Sequence, residues 1–254
     1  MFEILHSIRR LLVPGSPSRP THVVPLGVSC RVSYQVRSYF GSTTAYPFDW
    51  WGTPIDGLTR YLSDPDPDRV YGVGALDELV VDGQVTSLVA PEFGFLLFHE
   101  FPRQDIGLPM RVVAPDWRDH VAELRARHAR RLDRLLALDR RGHRILFVRD
   151  RLDIDGGSGA EVAAESVANL WRTLSNRWSR ADIELLVVNV PCDPRTPQRG
   201  VQWVDFEDIP DDSREAWRGD STRWARAFDS WRKMSRTKFQ GGHQLYEGGL
   251  PSTI

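Results

Sequence analysis

The chain predicts an α/β fold: a mostly parallel sheet with helices on both faces, a three-layer sandwich, plus a small antiparallel hairpin insertion. Three observations in the 254-residue sequence carry this expectation. Arg144-Ile145-Leu146-Phe147-Val148, Ile183 to Val190 and Val201 to Phe206 are nearly continuous apolar runs of strand length, the pattern of strands covered on both faces. Segments of helical period separate them, and alternation of strand and helix favours a parallel sheet. Between Leu76 and Phe101 the apolar period drops to two around Asp82-Gly83, a hairpin dipeptide.

Taken in order, Met1 to Pro20 is an N-terminal segment and linker. Arg9 and Arg10 interrupt its apolar set Phe2, Ile4, Leu5, Ile8, Leu11 and Leu12, so it reads not as a signal peptide but as an amphipathic stretch that packs on its own domain, with contact to a membrane or a partner as the alternative. His22 to Gly27 reads as a strand. Ser29 is the expected N-cap of a helix bearing Val32, Val36, Tyr39 and Phe40. A helix around Ile55 to Leu62 is followed by the turn Asp64-Pro65-Asp66-Pro67-Asp68. The hairpin pairs Leu79–Val81 with Val85–Val89, and Phe93 to Phe98 follows as a strand, an insertion or lid at about 76–101. Asp116 should cap an arginine-rich helix to about Asp139, with Val121, Leu124, His128, Leu132 and Leu135 as its stripe. Ala160 to Trp178 is a helix, and a last helix carries Trp224, Phe228 and Trp231. The expected organisation is a single domain over 21–239 and a flexible, glycine-rich tail over 240–254.

Charge is nearly balanced, with 33 basic and 34 acidic residues, which argues against nucleic acid as a partner. No apolar run is long enough to span a bilayer. Two cysteines, Cys30 and Cys192, are too few for a disulfide framework, and no Cys/His spacing suits a metal. A reducing cytoplasm is the expected home, with no metal and no cofactor. The oligomeric state has no sequence signal.

Cys30 is the leading reactive candidate. Leu26-Gly27-Val28-Ser29-Cys30 ends a strand and opens a helix, where strand carboxyl ends gather ligands and unpaired N–H groups favour a thiolate or an oxyanion. Gly27 permits the sharp turn and close approach of substrate, and Ser29 flanks the same turn. The structural alternative is an inert buried cysteine. A thiolate needs a base, and His99 at the end of Phe95 to Phe98 is the most suggestive of seven histidines. His120, His128 and His143 are expected to be solvated, and His243 is a weak candidate in the tail. Asp49, among the aromatics of Pro47-Phe48-Asp49-Trp50, is either an orienting acid, a loop clamp or a proton donor; Asp150 competes as the third member. Arg149 and Arg151 offer anion contacts, and Trp50 and Trp51 offer stacking surfaces. Cys192 reads as structural. Gly156-Gly157-Ser158-Gly159 is only superficially a phosphate loop.

Leu26-Gly27-x-x-Cys30, Tyr46-Pro47-Phe48-Asp49-Trp50 and Phe98-His99-Glu100-Phe101 together resemble a bacterial family described as papain-like cysteine peptidases, a domain of unknown function. The likeness runs from Val23 to about Trp231. It implies a Cys30 nucleophile and a His99 base; the third member does not carry over from the family, and Asp49 is preferred to Asp150. The alternating second half departs from a papain core, where the histidine lies on an antiparallel sheet. A cysteine-dependent hydrolase or acyltransferase acting on a small-molecule, peptide or glycan-linked acyl substrate is therefore the first expectation. A non-catalytic binding or glycan/natural-product assembly accessory protein, with Cys30 structural, is the alternative. A nucleotide-dependent transferase using the Gly156–Gly159 loop is weaker.

Overall fold

The computed structural model describes residues 20–107, 111–150, 164–188, 200–204 and 216–241, with side chains from 217 to 234 in the last segment. In chain order the elements are β1 (His22–Pro25), α1 (Cys30–Phe40), α2 (Ile55–Ser63), α3 (Asp68–Tyr71), β2 (Asp77–Val81), β3 (Gln84–Ala90), β4 (Phe95–Leu96), β5 (Arg103–Gln104) and β6 (Val112–Val113). A 3₁₀ turn (Trp117–His120) then leads into α4 (Val121–Leu136). They continue with β7 (Arg144–Asp150), α5 (Ala164–Arg177), β8 (Asp182–Val188), β9 (Val201–Val204), a 3₁₀ turn (Ala216–Arg218) and α6 (Ser221–Gly241).

The main sheet has the order β1-β7-β8-β9 and is parallel throughout. Its side chains divide by parity. Val24, Leu26, Ile145, Phe147, Leu185, Val187 and Val201 face a core shared with α2, α4 and α5. Val23, Leu146, Val148, Leu186 and Val188 face a second core closed by Val32 and Val36 of α1 and by Trp224, Ala227, Phe228 and Trp231 of α6. Helices therefore cover both faces, as the continuous apolar strands require.

The hairpin β2–β3 forms around Asp82 (φ 51) and Gly83 (φ 74), two positive-φ residues as a two-residue hairpin turn needs. It does not stand apart as a lid: Leu88, Ala90, Phe93, Phe95 and Leu97 are buried in the first core. The strand expected over Phe93 to Phe98 pairs only at Phe95–Leu96. Phe93 N–H reaches back to Ala90 O, and Gly94 has φ 68, so its first two residues belong to a turn. The Asp-Pro repeat, expected to be turn alone, includes the start of the short helix α3. Asp116 is the N-cap position of the 3₁₀ turn that precedes α4, without a side-chain capping bond.

Outside the strands, Gly52 and Leu96 exchange N–H···O bonds of 2.8 Å each. This pair joins the loop after Trp50 to the strand that leads to His99.

Candidate functional site

Beyond β1 the chain turns sharply. Gly27 (φ 77) and Val28 (φ 80) both adopt positive φ, then Ser29 is extended (φ −157, ψ 168) and α1 starts at Cys30. Positive φ is costly for a β-branched residue, so Val28 must be held there by its surroundings. Thr53 does this: its Oγ1 accepts from Val28 N–H at 3.0 Å and donates to Leu26 O at 2.8 Å. A Cβ on Gly27 would meet Thr53 Oγ1 at 2.5 Å, so glycine is required by space as well as by φ. Ser29 is the N-cap as expected, yet its side chain makes no capping bond.

The turn leaves Cys30 half-buried, with its thiol free of any disulfide. Burial pushes the thiol pKa up from its ordinary value. The Cys30 N–H, the Arg31 charge and the Arg31 N–H oppose that push without cancelling it. Arg31 Nη1 lies 3.9 Å from Asp150 Oδ2, and its Nε donates to Trp217 O at 3.4 Å.

Cys30, Trp50, His99 and Trp217 line one cavity of about 590 Å³, within the size range of small-ligand sites. His99 follows β4 in a turn rather than ending a strand, with Glu100 N–H directed to Leu97 O at 3.5 Å. Its ring meets the Trp50 indole edge-on at 6.3 Å. Partial burial first, then the Arg103 charge, lowers the imidazole pKa below its ordinary 6.5, while Glu100 acts in the opposite sense. Thiol and imidazole are thus both driven towards their neutral forms. Among the described residues no hydrogen bond joins them.

The supporting contacts are explicit. Arg37 packs over Trp50 at 5.4 Å and donates from Nη2 to Asp49 Oδ2 at 2.5 Å. Trp217 packs edge-on to Tyr34 at 5.4 Å, and Arg218 lies over both rings. Gln35 Nε2 donates to Arg218 O at 2.6 Å, fixing the Trp217 turn to α1. On the His99 side, Arg103 Nη1 donates to Phe98 O at 2.7 Å, and Arg127 and Arg131 hold the buried Glu100 carboxylate at 2.7 and 3.2 Å.

Several residues expected at the site have other positions. Asp49 is buried and accepts from Arg37 and from Tyr46 N–H at 3.2 Å, and Ser33 Oγ donates to its carbonyl. Burial raises its carboxyl pKa against the pull of Arg37 and that N–H. It clamps a loop, and no hydrogen bond joins it to His99 among the described residues. Asp150 ends β7, buried, on the Arg31 side of the turn. Trp51 is fully buried, stacked on His128 at 4.7 Å, so it offers no face to a ligand; Trp50 alone of the pair lines the cavity. Arg149 is fully buried and donates from Nη1 to Leu26 O at 3.3 Å and from Nη2 to Thr53 O at 2.6 Å, which leaves no anion contact open to solvent. His128 is buried rather than solvated. Arg151, Cys192, His243 and the Gly156–Gly159 loop lie outside the described residues. No cluster of His, Cys, Asp or Glu suited to a metal occurs among the described residues.

Sequence patterns did not single out Trp217 or Thr53. Trp217 is a lone aromatic in the polar run Glu215-Ala216-Trp217-Arg218, and that isolation was a usable signal. A single threonine carries none.

No family model, curated protein or solved structure matches this chain.

Proposed function

We propose that the protein is a cysteine-dependent hydrolase or acyltransferase in which Cys30 and His99 act as a thiol–imidazole pair. One observation carries the reading: the two side chains, 69 positions apart by their numbers, line the same cavity with Trp50 and Trp217. The likeness of the Leu-Gly-x-x-Cys and Pro-Phe-Asp-Trp motifs to papain-like cysteine peptidases points the same way, and rests on those residues alone.

In this reading an acyl carbonyl enters between Trp50 and Trp217. Cys30 Sγ bonds to the carbonyl carbon while its proton passes to the His99 imidazole, and the carbonyl π pair moves onto oxygen. The backbone N–H groups at Cys30 and Arg31, which already act on the sulfur, suit a developing oxyanion at the helix start. Collapse breaks the bond to the leaving heteroatom, which takes the proton from His99. Water or another acceptor then cleaves the thioester, with His99 removing its proton, and the acyl product leaves as the thiol is restored. A neutral resting pair makes proton transfer concerted with attack, rather than starting from a preformed thiolate. Activity then requires unprotonated His99, and the acid limb of kcat/KM falls below pH 6.5 because its pKa is lowered.

The test is a panel of esters, thioesters and amides assayed with the protein and with Cys30→Ala and His99→Ala. Both variants should lose at least about 100-fold, the scale of a general base and more for a nucleophile. Full activity in Cys30→Ala sinks the proposal. Among the described residues no helix is long and apolar enough to cross a membrane. A free Cys30 thiol suits a reducing compartment such as the cytoplasm.

A second reading has an observation of its own. The cavity has two partly exposed indoles, and burial raises the thiol pKa, as in a binding module with an unreactive cysteine. For a sugar- or peptide-binding accessory protein, Trp50→Ala and Trp217→Ala abolish binding while Cys30→Ala leaves it unchanged.

A further inference from the structure

We infer that Thr53 and Arg149 are positioning residues for Cys30: together they lock the positive-φ turn that presents the thiol and couple it to the His99 loop. The inference rests on the thiol–imidazole reading and extends it to two residues that line no part of the cavity.

The geometry forms a closed set of contacts. Thr53 Oγ1 bridges the turn, accepting from Val28 N–H and donating to Leu26 O. Arg149, on the last part of β7, reaches the same oxygen from Nη1 and holds Thr53 O from Nη2 at 2.6 Å. Its Nη1 also lies 3.4 Å from Thr53 Oγ1. A guanidinium removed entirely from water and bonded to neutral oxygens is an expensive way to brace a turn. The expense shows in an arginine pKa pushed down to about 9 by burial, against the pull of Asp150 and Asp56. What it braces is two consecutive positive-φ residues, the second a valine, immediately before Ser29 and Cys30. Strain held in place by surrounding contacts is characteristic of functional turns.

The clamp also has a second end. Thr53 follows Gly52, whose N–H and C=O pair with Leu96, three positions before His99. One short segment therefore carries Trp50 into the cavity, binds the Cys30 turn and binds the approach to His99. Removing the Thr53 hydroxyl leaves Val28 N–H and one bond to Leu26 O unsatisfied in the interior, and lets Val28 relax to negative φ. Cys30 then shifts relative to His99, and its thiol leaves the partly buried position that sets its titration.

The test compares the parent with Thr53→Val, which is isosteric without the hydroxyl, and Thr53→Ser, which keeps it. Alkylation of Cys30 by iodoacetamide is followed from pH 6 to 10 by peptide-resolved mass spectrometry, which separates Cys30 from Cys192. Thr53→Val, folded by its cooperative melt, should titrate Cys30 nearer the ordinary thiol range, with the rate at pH 8 raised roughly threefold or more. Thr53→Ser should follow the parent within about twofold, since the bridging hydroxyl is retained. On the best substrate of the ester panel, Thr53→Val should lose roughly tenfold or more in kcat with KM nearly unchanged, because misplacement rather than binding is affected. A folded Thr53→Val that titrates Cys30 as the parent does overturns the inference, whatever happens to its melting temperature. So does a Thr53→Ser that behaves as Thr53→Val. If Thr53→Val does not melt cooperatively, Arg149→Lys takes its place with the same expectations. The alkylation arm needs no substrate, so absence of hydrolysis would sink the enzymatic reading without touching this result.

Discussion

His128 shares the inner face of α4 with Leu124, Leu132 and Leu135, and its ring stacks on Trp51 at 4.7 Å with only 16° between planes. Its Nε2 and the Tyr61 hydroxyl share a hydrogen bond of 2.7 Å. Burial, with a smaller contribution from the Arg131 charge, lowers its pKa to about 3. The unfolded chain takes up a proton near the ordinary 6.5 and the folded chain does not, so the unfolded state binds more protons in acid. The contribution is fully present above pH 6.5 and is lost progressively as pH falls towards 3. At pH 5 the loss is about 2 kcal/mol relative to pH 7. Urea denaturation at both pH values, for the parent and for His128→Gln, isolates it: the variant should lose about 2 kcal/mol less between them. Equal losses would mean that His128 protonates freely while folded. The sequence placed this histidine correctly in an apolar stripe, but the surrounding arginines suggested a solvated helix. A stripe position is a statement about one face, and arginines on the other faces do not bear on it.

At the scale of elements, the site depends on how α4 grips the segment after β4. Glu100 is buried, takes hydrogen bonds from Arg127 and Arg131, and follows His99 directly. Arg127 Nη2 also approaches Glu100 O at 3.4 Å. Loss of the carboxylate leaves two guanidiniums without their anion, but both keep some solvent access. The cost of Glu100→Ala should therefore be about 2 to 3 kcal/mol, below that of breaking a wholly buried pair. Equilibrium urea unfolding measures it, and a change under about 0.5 kcal/mol would place this pair with ordinary surface bridges. Elements also show where sequence signals ran out. The Asp82-Gly83 turn was legible because two-residue hairpins demand positive φ at both positions. The β4 strand was overestimated because an apolar run does not reveal that Gly94 turns the chain inside it. The start of α1 at Cys30 was legible from a strand followed by helical spacing, whereas the valine at positive φ beside it was not, since that conformation is imposed by Thr53.

For the whole molecule, the parallel sheet and its two helical layers were readable because continuous apolar strands admit few other architectures. That Cys30 and His99 line one cavity depends on contacts between distant segments, among them Thr53 with the β1 turn and Gly52 with Leu96, and local patterns do not encode those. The same sheet makes the single-domain expectation over 21–239 testable. Leu146 and Phe147 are neighbours on β7 but face opposite cores, Leu146 towards Trp224 and Trp231, Phe147 towards Trp178 at 5.0 Å between rings. Truncation of either to alanine should cost about 2 to 5 kcal/mol by opening a cavity. Because one strand carries both faces, each variant should weaken both cores together. Far-UV circular dichroism and tryptophan fluorescence should then give superimposable urea curves for Leu146→Ala and Phe147→Ala, each shifted to lower denaturant. Tryptophans lie on both sides of the sheet, Trp51 and Trp178 in one core and Trp224 and Trp231 in the other, so a core that unfolded by itself would split the fluorescence curve from the dichroism. Such a split in either variant would mean that the layers are separate cooperative units, and that the clamp between the Cys30 turn and the His99 loop joins two units rather than bracing one.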